Sequence, residues 1–164
     1  MYKQSYDEVL EGIIAVDTRY HGDAYHFVRE GLDYTQQSIS KQEKGAVRHI
    51  SGQELLGGMR AHALEQYGPM ALLVLNEWGV QRCEDFGEIV FNMVEHNLLA
   101  RTAEDSREDF KEGYDFEDAF CKPFLPPQTP TQSSNPAQGN IAPVPDSGTD
   151  RSGKTSEPEA SDKQ

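Results

Sequence analysis

Apolar positions at Tyr6, Val9, Leu10, Ile13, Ile14 and Val16 fall near helical spacing and predict a first helix that ends around Thr18. Ala24, Phe27, Val28, Leu32 and Ile39 set a second helix over about Gly22 to Ser40, followed by a polar connection, Lys41 to Val47. Neither stripe is long enough to hold a helix alone, because short helices depend on packing their apolar face. Both are expected to pack on the helical patterns C-terminal to them. From Ser51 the punctuation sharpens. Ser51-Gly52-Gln53-Glu54 is a capping box, and Leu55, Leu56, Met59, Ala63, Leu64 and Tyr67 form one face of the helix it starts. Gly68 suits a left-handed C-cap, and Pro69 suits the first position of the next helix, where its missing N–H costs nothing. Met70, Leu72, Leu73, Leu75 and Trp78 carry that helix to Gly79. After the turn Val80-Gln81-Arg82-Cys83, another helix turns Phe86, Ile89, Val90, Met93 and Val94 inward.

Helix, glycine-bearing turn, helix is the signature of a helix-turn-helix. Leu98 to Thr102 then reads as a strand, and Phe110 to Phe116 alternates around Gly113 as a hairpin would. The expected fold is therefore mainly α with a small β-hairpin wing. N-terminal helices occupy residues 5–48 and a winged-helix-like part residues 50–120 of one folded domain, 1–124. The run Glu95 to Thr102, with Asp105 and Arg107, resembles the junction between recognition helix and wing in bacterial winged-helix regulators. An ordinary helical bundle with an acidic loop is the alternative architecture.

Composition changes the picture at the C-terminus. Every Phe, Tyr and Trp lies at or before Phe124, and every Pro except Pro69 lies at or after Pro123. Residues 125–164 hold little large apolar surface to offset their ordering entropy, so a disordered tail is expected there. The tail contributes five acids and three bases, so −11 of the net −13 lies on residues 1–124. Such a surface repels phosphate backbones. The predicted reading helix sharpens the point: Glu84 to Asn97 carries Glu84, Asp85, Glu88 and Glu95 and no Lys or Arg. Duplex DNA is not an expected partner.

Other chemistries find little footing. The longest apolar run, Met70 to Leu75, is far short of the roughly 20 residues that span a bilayer, so no membrane is expected. The first residues show no basic stretch followed by an apolar one, so a secretory signal is not expected and the cytoplasm is the default. Cys83 and Cys121 are too few and too far apart for a disulfide framework or a cysteine zinc site. His21 and His26, beside Asp17 and Asp23, are five apart and do not share one helix face as ligands would. Carboxylates beside Cys83 oppose thiolate formation, which favours a small buried role for it. No catalytic residue, metal ligand or cofactor is expected.

The remaining signal is the acidic segment Glu104 to Phe120, where carboxylates alternate with aromatic rings. Glu108, Asp109, Phe110, Glu112, Tyr114 and Phe116 are the candidate protein-binding residues. The acids would attract a partner with a basic surface, and Tyr114 or Phe116 would supply a buried anchor. A solvated acidic face is the plainer reading of the same residues. The expected role is a protein–protein interaction or regulatory module. The alternatives are a nucleic-acid-associated winged-helix regulator, or an enzyme whose site no sequence pattern announces.

Four segments carry a further likeness: Gly52 to Leu56, Leu75 to Gly79, Glu84 to Asn92 and Asp105 to Phe110. They resemble an uncharacterised family of small conserved hypothetical proteins from planctomycete and verrucomicrobial bacteria. The likeness runs over roughly residues 5 to 124 and implies kinship without a mechanism.

Overall fold

A computed structural model describes residues 4–45, 47–100 and 105–127. The chain divides into two units, Met1–Pro126 and Pro127–Gln164, and the described helices belong to the first. The expected disordered tail lies outside the described residues, apart from 125–127.

The capping chemistry sets the helix starts. Helix α1 (Tyr6–Val16) opens with Ser5, whose hydroxyl accepts from the Glu8 N–H while the Glu8 carboxylate accepts from the Ser5 N–H. Helix α2 (Gly22–Gln42) opens with His21, whose Nδ1 accepts from the Asp23 N–H at 3.2 Å. Helix α3 (Gly52–Tyr67) uses the Ser51–Glu54 box expected from the sequence. Gly68, at φ +50°, ends α3, and Pro69 sits in a short 3-10 turn (Gly68–Met70) that leads into α4 (Ala71–Glu77). Gly79 then turns the chain at φ +86°, and a Cβ there would collide with the Arg19 carbonyl, so only glycine fits. Helix α5 (Cys83–Glu95) comes next.

Beyond α5 the sequence expectation fails. Among the described residues there is no strand, so they do not support the expected β-hairpin wing. His96 and Asn97 leave α5 as a turn, Leu98 and Leu99 form a bend, and Arg101 and Thr102 lie outside the described residues. Phe110 instead ends a 3-10 turn (Arg107–Phe110), and Phe116 starts helix α6 (Phe116–Phe120), with a last 3-10 turn at Lys122–Phe124. Local hydrogen bonds explain the outcome. The Ser106 hydroxyl and the Asp109 carboxylate cap the first turn, and the Asp115 carboxylate accepts from the Asp118 N–H at 3.1 Å to open α6. Short polar side chains that bond nearby backbone compete with a strand ladder. The spacing of rings that suggested alternation serves a turn and then a helix equally well.

Packing centres on α2, α3 and α5. Helix α2, about 30 Å long at 1.5 Å per residue, crosses α3 where Gly31 meets Met59 and Gly58 meets Thr35. A Cβ on Gly58 would strike the Thr35 side chain, so this close crossing depends on the missing side chain. The buried Thr35 hydroxyl donates to the Gly31 carbonyl at 2.6 Å, which pairs its own donor inside the seam. Aromatic rings then join the layers. Phe27 of α2 contacts Trp78 (5.6 Å between centroids) and Phe86 of α5 (6.2 Å), Phe86 contacts Phe116 (5.8 Å), and Phe116 contacts Phe120 (5.1 Å). Rings in the last third of the folded chain thus belong to the same core as those of α2.

Candidate functional site

Helix α5, the expected reading helix, is enclosed. Every residue from Cys83 to Val94 is buried or half-buried, with Phe86, Ile89 and Met93 fully inside. A helix that reads a groove must present one face, and this one presents none of useful width. Its acids are mostly engaged within the fold. The Asp85 carboxylate accepts from the N–H groups of Gln81 (2.9 Å) and Arg82 (3.1 Å) and from the Tyr20 hydroxyl (2.8 Å). Glu88 lies between Arg19 (3.2 Å) and Arg107 (3.3 Å), and Arg107 also reaches Glu95. Arg19 grips Asp17 through two nitrogens, and Asn92 donates to the same carboxylate at 2.8 Å. The Arg19 hydrogen bonds hold the Asp17 carboxyl well below the usual carboxylate range. Burial, reinforced by the Asp85 carboxylate, pushes the Tyr20 phenol up.

The C-terminal strap, residues 105–124, is arranged the opposite way. Phe110 is 4% exposed and seats between two glycines: a Cβ on Gly87 would lie 2.8 Å from its Cβ, and one on Gly52 3.3 Å from its Cε2. Gln53 fastens the strap by donating to the carbonyls of Asp109 (2.6 Å) and Glu112 (3.0 Å). The Tyr114 hydroxyl donates to the Leu56 carbonyl at 2.9 Å, and burial pushes that phenol far above its ordinary value. Cys83 lies under the strap, donating to the Tyr114 carbonyl and accepting from the Tyr114 N–H. Burial pushes its thiol up as well.

Among the expected binding residues, Phe110 and Phe116 are therefore buried and Tyr114 is half-buried. The rings anchor the strap to its own core. Glu108 and Glu112 are exposed, and Asp109 is half-buried because its carboxylate caps the Ser106 N–H. Glu108 pairs with Lys111 at 2.6 Å.

Two concave features flank the strap. One, about 510 Å³, gathers Glu84 from α5, Glu112 and Asp115 from the strap and Glu117 from α6, against Arg82 and Lys111. Acidic residues from both acidic stretches of the sequence line it, a placement that their separation of some thirty positions hides. The other, about 320 Å³, lies between α2, α5 and the strap. Leu32, Leu55, Val90, Val94, Leu99 and Phe110 form its apolar walls, with Gln36, His49 and Asp105 among its polar groups. His49 Nε2 and the Asp105 carboxylate are 2.7 Å apart. Sequence reasoning missed this cavity because its residues come from four separate stretches, none with a motif.

Among the described residues no group of three or more His, Cys, Asp or Glu side chains is placed to hold a metal ion, and no helix is long and apolar enough to cross a membrane. No family model, curated protein or solved structure matches the chain.

Proposed function

We propose that this protein is a cytoplasmic, non-enzymatic binding module that docks a basic segment of another protein on the acidic face around Glu84, Glu112 and Glu117. The observation that carries this reading is the gathering of acidic residues from α5, the strap and α6 around one open depression. Acids gathered from distant parts of the chain make a field that speeds capture of a cationic partner and discriminates against anionic ones. Docking rests on this charged face, since the strap rings are committed to the core. A helix-turn-helix arrangement of α3, α4 and α5 and kinship with the small planctomycete and verrucomicrobial proteins belong to the same proposal. Against duplex DNA stand the enclosure of α5 and its lack of Lys or Arg.

The test is cross-linking of the full chain in its native cell, then mass spectrometry and measurement of association rates with the captured partner. Replacing Glu84, Glu112 and Glu117 by Gln should slow association several-fold and flatten its salt dependence while leaving the thermal midpoint nearly unchanged. Asp109 and Asp115 are left intact because they cap turns. An association rate indifferent to these changes and to salt would sink the proposal.

A further inference from the structure

We infer that the outer face of α4 takes the apolar side chains of the same basic segment that the acidic depression captures, so that the partner docks through basic and large apolar residues together. The inference rests on the docking role proposed above for Glu84, Glu112 and Glu117 and adds the apolar half of the contact. Met70 to Leu75 is the longest apolar run in the chain, yet only Ala71 and Leu75 of it are buried. Met70 and Leu73 are each 53% exposed, and Leu72 and Val74 are half-buried. The backbone is already right-handed helical at Met70 and Ala71. Side chains three apart on a helix are neighbours, so Met70 and Leu73 form one patch. Apolar patches rimmed by polar residues mark interaction surfaces.

Charge names the occupant. Leu72 and Asn76, one turn apart on α4, line the depression that Glu84, Glu112, Asp115 and Glu117 also border. Leu73 is the next position round the helix from Leu72, so the apolar patch and the acids are parts of one surface. Glu77, exposed and four residues beyond Leu73, adds a further acid to its rim. Arg82 and Lys111 border the depression as well, but acids outnumber them and Lys111 pairs with Glu108 at 2.6 Å. A second copy of the chain would bring −11 on residues 1–124 to this acidic surface, and like charges oppose that approach. A cationic segment is favoured instead. Its apolar side chains meet Met70 and Leu73, and the flexible methionine adapts to their shape.

Fluorescence anisotropy of the full chain with three labelled peptides of equal length tests it: one of Lys and Leu at helical spacing, one with Ser in place of Leu, and one with Glu in place of Lys. The Lys–Leu peptide should bind saturably and about tenfold tighter than either of the others. Met70→Gln with Leu73→Gln should weaken it about tenfold, to the level of the Lys–Ser peptide. Both positions are exposed and Gln is a good helix former, so the thermal midpoint should hold. Val47→Gln, which removes a more exposed apolar side chain from the connection between α2 and α3, should leave binding unchanged. Equal affinity for the Lys–Leu and Lys–Ser peptides, indifference to the double variant, or an equal loss in Val47→Gln would each overturn the inference while the acidic docking face stands. Lys–Leu binding that is absent, matched by the Glu–Leu peptide, or indifferent to replacing Glu84, Glu112 and Glu117 by Gln would overturn both. Self-association in sedimentation that the double variant abolishes would also overturn the inference, by assigning the face to a second copy.

Discussion

Helix α5 and the C-terminal strap are both acidic and both aromatic, yet the fold uses their chemistry in opposite ways. In α5 the carboxylates Asp85 and Glu88 work inside the protein, capping backbone N–H groups and pairing with Arg19 and Arg107. In the strap the rings work inside and the carboxylates Glu108 and Glu112 face outward. The same residue types thus describe a structural element in one place and an available surface in the other. Depth decides. A helix packed on most of its sides satisfies most of its charges internally, whereas a short strap held by its rings leaves its charges in water.

The sharpest way to break this comparison is Phe110→Ala. If the strap is part of the core, truncating this ring should cost roughly 3–5 kcal/mol, and the thermal midpoint should fall by about 10 °C or more. Cys83, covered by the strap in the parent, should then react with a thiol reagent under native conditions, while half-buried Cys121 reacts in both. An unchanged midpoint would mean that the ring is not the anchor.

Gly87→Ala probes the same contact from the α5 side. The added methyl would lie 2.8 Å from the Phe110 Cβ, and neither backbone gives easily. A loss of about 1–3 kcal/mol is expected from overpacking, measured by urea unfolding. A gain in stability would show that the strap sits farther out.

Acid titration sharpens the internal half. Asp17 and Glu54 have folded pKa values below their ordinary 3.8 and 4.5, Glu54 at about 2, because of hydrogen bonds from Arg19 and Arg48 respectively. Their stabilisation is complete above the unfolded values and is lost as pH falls through the folded ones. The thermal midpoint should therefore hold near neutrality and decline below about pH 4.5. Asp17→Asn should be less stable than the parent at pH 7, with the gap narrowing below pH 3.8. A gap that widens in acid would reverse the sign.

The smallest contrast is between two single charges. Glu88→Gln removes a half-buried carboxylate from Arg19 and Arg107 and should cost about 0.2–1 kcal/mol. Glu112→Gln, exposed on the strap, should stay within about 0.5 kcal/mol of the parent. Equal costs would erase the distinction between the two regions.

The sequence by itself determined the helices as far as α5, with most of their starts and stops. Ser51 with Glu54 and Gly68 act through bonds and dihedral limits within a few residues, so their meaning does not depend on the rest of the fold. It also located the acidic segment and the run of rings inside it. Tertiary structure alone decided which way those rings face, because Phe110 is drawn inward by glycines 58 and 23 positions away, Gly52 and Gly87. It decided too that α5 is enclosed, that Glu84 lines one depression with Glu112 and Glu117, and that Gln36 borders a cavity with Leu99. Each of these is a contact between distant stretches, fixed by how helices cross and where a missing side chain lets them approach. No local pattern encodes that.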